Sequence, residues 1–397
     1  MDYQFSRKVT HLQASAIREI LKFTADPSVI SFAAGNPAPE AFPVEEIRRI
    51  SAQILEENPI LALQYSITEG YTPLRDRLKE WMAREGNFNP ETDDLIITSG
   101  AQQANELAAK VLCDEGDTLL CEAPSFIGSL NAFKSYRINL AGVEMEADGI
   151  SLTKLEEALQ KGGVKLIYVI PNFQNPTGIT MSAEKRKAVY ALAKQYDAVI
   201  LEDNPYGYLR FTGEDIPTIK SLDTDGRVIY AGSFSKILAP GIRVGYVSAP
   251  KEIIQKIVVC KQVSDVHTNI WAQALADRFL AQTDFTAHLD GLRAIYRGKC
   301  QLMLDEIRAH FSSNIRFTTP EGGLFLWGTL PEGSDMMRFC SRAVQEFKVA
   351  VVPGTAFNIS EEQVSTSFRM NFSTPTDAQI SAGCAMLGKL SKELFGE

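Results

Sequence analysis

Apolar and polar positions alternate along this chain in two recurring patterns. Short unbroken apolar runs come first: Leu95-Ile96-Ile97-Thr98, Thr118-Leu119-Leu120-Cys121, Leu166-Ile167-Tyr168-Val169-Ile170, Ala198-Val199-Ile200-Leu201 and Val228-Ile229-Tyr230-Ala231. Between them lie stretches with helical spacing, at 103–112, 127–135, 152–160 and 182–196. A run with no polar face suits a strand covered on both sides, and regular strand–helix alternation calls for a mostly parallel sheet with helices on both faces. Residues 244–248 predict one further strand. Before this region, the pattern predicts a helix over 12–24 carrying Arg18, a short strand at Ile30-Ser31-Phe32, and helices over 43–58 and 73–84. After it, 251–311 reads as long helix. The remainder mixes strands (near Phe317, 324–327, 349–352 and 367–370) with helices (335–347, 377–394), the pattern of a smaller α+β domain.

The predicted strands end in loops rich in Gly, Pro and small polar residues. In an open α/β sheet, ligands bind at the carboxyl ends of the strands. Ser99-Gly100-Ala101-Gln102 joins a strand to a helix, an arrangement that points free backbone N–H groups at an anion, although any tight strand–helix turn looks the same. Phe126 follows the next strand and suits either a flat ring or the core. More specific are Asn175-Pro176-Thr177-Gly178, then Asp203-Asn204-Pro205-Tyr206, then Ser233-Phe234-Ser235-Lys236 with Gly241-Ile242-Arg243-Val244-Gly245. Taken alone, Lys236 reads as a solvated loop lysine and Arg18 as part of a solvated face.

The whole chain narrows the options. Its 397 residues are 45% hydrophobic and carry a net charge of −9, with no basic block, so nucleic acid is not an expected partner. No apolar stretch approaches the ~20 residues that span a bilayer, and the N-terminus lacks the pattern of a secretion signal. Six scattered cysteines and four unclustered histidines argue for reduced thiols in the cytoplasm and against a metal site.

Read together, the loop residues meet the needs of one cofactor. Pyridoxal 5′-phosphate (PLP) needs a lysine to hold it as a Schiff base and move protons at the substrate's α-carbon, and Lys236 supplies it. Its ring nitrogen needs a carboxylate, and Asp203 ends an apolar strand. Asn175 and Tyr206 suit the phenolic oxygen. Gly100, the Ala101 and Gln102 backbone, Ser233, Ser235 and Arg243 suit the phosphate. Phe126 would cover the ring, Arg369 would clamp an α-carboxylate, and Gly35, in a Gly/Pro loop, allows close approach.

In this order these motifs resemble the class I/II aminotransferases, the fold-type I PLP enzymes, over nearly the whole chain. The nearest resemblance is to the 2-aminoadipate/kynurenine aminotransferase branch, on Leu12-Gln13-Ala14-Ser15-Ala16-Ile17-Arg18-Glu19, Leu63-Gln64-Tyr65-Ser66, Glu69-Gly70-Tyr71 and Phe173-Gln174-Asn175-Pro176. The resemblance implies a mostly parallel seven-stranded central sheet plus a smaller α+β domain built from both chain ends. The expected divisions are 1–50 (N-terminal arm and part of the small domain), 51–290 (large PLP-binding domain) and 291–397 (C-terminal small domain). It also implies transfer of an amino group from an amino acid (2-aminoadipate, aromatic or similar) to a 2-oxo acid such as 2-oxoglutarate. Arg18 would bind a distal carboxylate, and Tyr65 would reach the neighbouring subunit's phosphate in a homodimer with shared sites. Phe126 stands where many members of the branch have tyrosine, and Ala34-Gly35-Asn36 differs from their Gly-Gly pair; both bear on substrate preference. A lyase or decarboxylase would share the cofactor residues. A standalone, non-catalytic ligand-sensing domain is the alternative of another class; one behind a DNA-binding helix-turn-helix is not expected, because the resemblance begins within the first ~15 residues.

Overall fold

A computed structural model describes residues 1, 3–10, 26–360 and 363–397. The strands, in chain order, are β1 (Ile30–Ser31), β2 (Asp93–Thr98), β3 (Thr118–Ala123), β4 (Asn139–Glu146), β5 (Gly149–Ile150), β6 (Val164–Val169) and β7 (Val199–Asp203). They continue with β8 (Val228–Ser233), β9 (Gly245–Pro250), β10 (Arg316–Phe317), β11 (Phe325–Thr329), β12 (Val349–Ala350), β13 (Val352–Pro353) and β14 (Ser367–Asn371).

The main sheet runs β2-β9-β8-β7-β6-β3-β4-β5. It is the expected seven-stranded sheet, with the two-residue β5 added at one edge by antiparallel pairing. Strands β4, β3, β6, β7 and β8 are parallel, while β9 lies antiparallel to both β8 and β2. The reason is the connection: residues 234–244 hold one 3₁₀ turn and no crossover helix, and a parallel return needs a crossover. Both faces are covered. On β6, Leu166 and Tyr168 join the larger apolar core, while Ile167 and Val169 join a second one with Leu155, Leu159, Val189 and Ala193. The helix Ala101–Leu112 lies against β7, β8 and β9, and buried Ala104 and Ala108 let it approach closely.

Successive connections run outward in opposite directions from the β3/β6 pair, which makes this the sheet's switch point. The loops carrying Phe126 and Asn175 flank that crevice, and those carrying Asp203 and Lys236 follow on β7 and β8.

The smaller part is an antiparallel sheet, β10-β11-β14-β13, packed with the helices Met336–Gln345 and Asp377–Phe395. The chain ends meet: β1 pairs in parallel with β12, and Asn371 N–H donates to Phe32 O at 2.8 Å. Residues 50 and 290, the expected divisions, both fall inside helices, Val44–Glu57 and Phe285–His310. Among the described residues, no helix is long and apolar enough to cross a membrane.

Candidate active site

A cavity of about 460 Å³ opens at the carboxyl ends of β6, β7 and β8. Lined by Gln102, Phe126, Asn175, Asp203, Tyr206, Ser233, Ser235, Lys236, Arg243 and Arg369, it also takes in Ala101 and Gly35. Residues from five loops, three strands and the start of one helix thus meet in one space.

Lys236 lies in the turn that follows β8. Its Nζ donates to Gly35 O at 2.6 Å. Burial, reinforced by the Arg369 and Arg243 guanidiniums, pulls its amine down to about 8. Asp203 closes β7. Its Oδ2 accepts from Asn105 Nδ2 and from the Tyr168 hydroxyl, both at 2.7 Å. Its Oδ1 is buried without a partner. Burial pushes this carboxyl up to about 6, against the pull of those two donors.

Asn175 works in two directions. Its amide nitrogen lies 3.5 Å from the Tyr206 hydroxyl, and its Oδ1 accepts from Arg369 Nη1 at 2.8 Å. Arg369, on β14, also donates through Nη2 to Ala33 O at 2.8 Å. Its guanidinium carbon sits 4.2 Å from the Phe325 ring centre and 5.0 Å from that of Phe357. Burial lowers it only to about 10, so it stays cationic near neutral pH.

At the other end of the cavity, Gly100 (φ 79°, ψ 168°) turns the chain from β2 into the helix Ala101–Leu112. No side chain caps that helix, so the Ala101 and Gln102 N–H groups stay available. Arg243 donates from Nη2 to Ser99 O at 3.1 Å. A Cβ on Gly245 would lie 2.6 Å from the Gly100 carbonyl carbon, so β9 and this turn touch backbone to backbone. The Ser235 N–H donates to Ser233 Oγ at 3.1 Å, shaping the loop beside them.

Two expected residues stand apart. Tyr65 is 82% exposed, packs edge-on against His267 at 6.0 Å, and does not line this cavity. Arg18 lies outside the described residues. Sequence reasoning missed Asn105, Tyr168, Phe325 and Phe357. Asn105 sits one helical turn after Ala101, on the same face, which was a readable signal. Tyr168, a polar tip in an apolar strand, was another.

The chemistry of this set fits PLP: an amine of lowered basicity, an orphaned buried carboxylate oxygen in the same cavity, and an uncapped helix start beside an arginine. Residues 27–387 match the family model described as aminotransferase class I and II. The chain belongs to this family. It is 41% identical over 400 residues to an aromatic-amino-acid aminotransferase of Thermococcus litoralis, covering 99% of this chain and 95% of that one. The kynurenine aminotransferase of Pyrococcus horikoshii, solved with PMP and kynurenine, superposes with a TM-score of 0.94 at 38% identity, over 98% and 97% of the two chains. The alpha-aminoadipate aminotransferase of Thermus thermophilus, complexed with N-(5′-phosphopyridoxyl)-L-leucine, gives 0.90 at 38% identity, with the same coverage. The protein is therefore a PLP-dependent transaminase of fold type I, acting on amino and 2-oxo acids. The lyase reading is not favoured. Among the described residues, no group of three or more His, Cys, Asp or Glu is placed to hold a metal.

Proposed function

We propose that this aminotransferase moves the amino group of 2-aminoadipate, an aromatic amino acid or a similar donor to a 2-oxo acid, with 2-oxoglutarate as acceptor. The observation that carries the site assignment is the meeting of Lys236, Asp203 and Arg369 in one cavity. The donor class is supported by the names of the relatives and by apolar Ile170, Phe126 and Phe325 beside the clamp.

Bound PLP supplies an electron sink conjugated to the donor's α-carbon. Lys236 anchors the cofactor. Its amine would take and move the proton at the donor's α-carbon as general base, a task its lowered basicity suits. Asp203 holds a proton at the ring nitrogen through its free Oδ1. Asn175 and Tyr206 steady the phenolic oxygen. The Ala101 and Gln102 N–H groups, set by the Gly100 turn, bind phosphate with Ser233, Ser235 and Arg243. Phe126 covers the ring, and Arg369 fixes the α-carboxylate while Gly35 lets the donor close in. Arg18 takes a distal carboxylate when the donor has one.

The working unit is a homodimer in which Tyr65 reaches the neighbour's phosphate. This is supported by the exposed apolar side chains around Tyr65 and its contact His267: Ile60, Leu63, Val263 and Val266. Six free cysteines suit a reducing cytoplasm. A large domain near 51–290 and a small domain near 291–397, the latter joined by Ile30–Ser31, enclose the site between them.

The test is the absorbance spectrum of the purified protein with single amino acids and no 2-oxo acid. Conversion of the cofactor band by aminoadipate or aromatic donors, lost in Lys236→Ala, is the expected result. A band that no amino acid converts would overturn the proposal. Arg18→Ala is expected to weaken dicarboxylic donors selectively, and equal losses across donors would remove Arg18 from the site.

A further inference from the structure

The carboxylate at the end of β7 is held by more than its strand. Asn105, Ser129, Tyr168 and Asp203 are each at most 2% exposed and form one connected polar cluster, which Asn105 and Asp203 present to the cavity. Tyr168 lies on β6, paired with Leu201 of β7, and its ring packs edge-on against Phe133 at 5.3 Å. Its hydroxyl reaches Asp203 Oδ2 at 2.7 Å and Ser129 Oγ at 3.0 Å. Asn105 Nδ2 reaches the same Oδ2 at 2.7 Å and Ser129 Oγ at 3.1 Å. A phenylalanine would fill the space of Tyr168 equally well, so the hydroxyl's use is this contact.

We propose that Tyr168 and Asn105 are positioning residues for Asp203, both donating to Oδ2 so that Oδ1 alone is left for the cofactor's ring nitrogen. The inference rests on the reading of Asp203 as the ring-nitrogen partner. Its chemistry is specific: the donors are neutral. A cation at this place would satisfy the carboxylate and weaken its hold on the ring. Hydroxyl and amide donors keep the anion charged without neutralising it. The opposing influence is burial. Glu122 on β3 also faces Asp203, but burial and the Asp203 charge push its own carboxyl up to about 8, so it is largely uncharged at neutral pH. Tyr206, after β7, also faces Asp203. Lys236 shares the cavity.

The test measures PLP affinity of the cofactor-stripped protein by equilibrium dialysis from pH 5 to 8, with absorbance of the reloaded protein in parallel. Tyr168→Phe is expected to bind PLP about tenfold more weakly at pH 7, as loss of one hydrogen bond to a charged group implies. Its acid limb of binding moves upward by about one pH unit, because the carboxylate now protonates more easily. Asn105→Ala gives the same two changes, and carries the test alone if Tyr168→Phe does not fold. A loss of affinity equal at every pH, or wild-type affinity with an unmoved acid limb in both variants, overturns the proposal while leaving Asp203 in place, provided Asp203→Asn loses PLP. An Asp203→Asn variant with wild-type affinity would overturn the reading of Asp203, and the positioning role with it.

Discussion

Replacing Lys236 with methionine is expected to make the cofactor-free protein more stable. Lys236 keeps its length and apolar stem in Lys236→Met but loses an amine that the fold holds against its preference. A drop from the ordinary 10.5 to about 8, at ~1.36 kcal/mol per pH unit, penalises the charged amine by about 3 kcal/mol. Water reaching this partly exposed side chain screens some of that, leaving about 2 kcal/mol. Below about pH 8 both native and unfolded lysines are protonated, and the wild-type protein bears the full cost. Between about 8 and 10.5 the unfolded lysine holds a proton that the native one lacks, so wild-type stability rises with pH. The advantage of Lys236→Met is therefore full at pH 7, shrinks from about pH 8 and is gone near 10.5. With ~2.1 cal/mol/K of unfolding entropy per residue over 397 residues, the thermal midpoint rises by about 2–3 °C at pH 7. Calorimetry of the two stripped proteins between pH 6.5 and 10.5 reads this directly. Equal midpoints at pH 7, or a difference that does not narrow with pH, would refute the argument. The result matters because a destabilised amine is the one that can act as a base near neutral pH.

Other substitutions test separate parts of the site. In Gly100→Ala the new Cβ meets the Arg243 guanidinium in a backbone region that only glycine occupies comfortably (φ 79°, ψ 168°), so stability falls by about 1–3 kcal/mol and PLP binds at least ~10-fold more weakly; an unchanged dissociation constant would separate this turn from the phosphate. Arg369→Lys loses the fork that spans Asn175 Oδ1 and Ala33 O, and single-turnover conversion by every α-amino acid is expected to slow about 100-fold with the cofactor band intact; a loss confined to a few donors would reassign Arg369 to side-chain recognition. Val266 holds φ 65°, ψ −62° in a tight turn closed by His267 N–H to Asp265 O at 2.7 Å, a strained geometry for a β-branched residue; Val266→Gly is expected to raise the melting temperature by about 1 °C, and a fall would show that the strain is not stored there.

The strands carrying Asn175, Asp203 and Lys236 were readable because a strand buried on both faces leaves an unbroken apolar run, and each run ended in Gly, Pro or Asn. Strand β9 was readable as a strand, and its direction was implicit in the missing crossover helix after Lys236. The support beneath the site was not. Asn105 and Tyr168 are 98 and 35 residues from Asp203, and periodicity reports which face a residue occupies, not which distant polar atom it meets. The same holds for Arg369, whose partner Asn175 is 194 residues away. Local pattern specifies elements; contacts between elements depend on strand order, which it constrains only loosely.

The pairing of the chain's two ends sets an order of assembly during synthesis. Every strand of the main sheet, and every residue proposed to hold the cofactor within one chain, is complete by Pro250. Arg369 comes only with Ser367–Asn371, after its partner strands β11 and β13, and β1 waits for Val349–Ala350 before it has anything to pair with. At ~5–20 residues per second the ribosome takes roughly 6–24 s to travel from Pro250 to Asn371. Over that interval the cradle for the vitamin-derived group can form while the amino-acid clamp does not yet exist. In a nascent chain built this way the residues proposed for the cofactor are made before the one proposed to clamp the substrate.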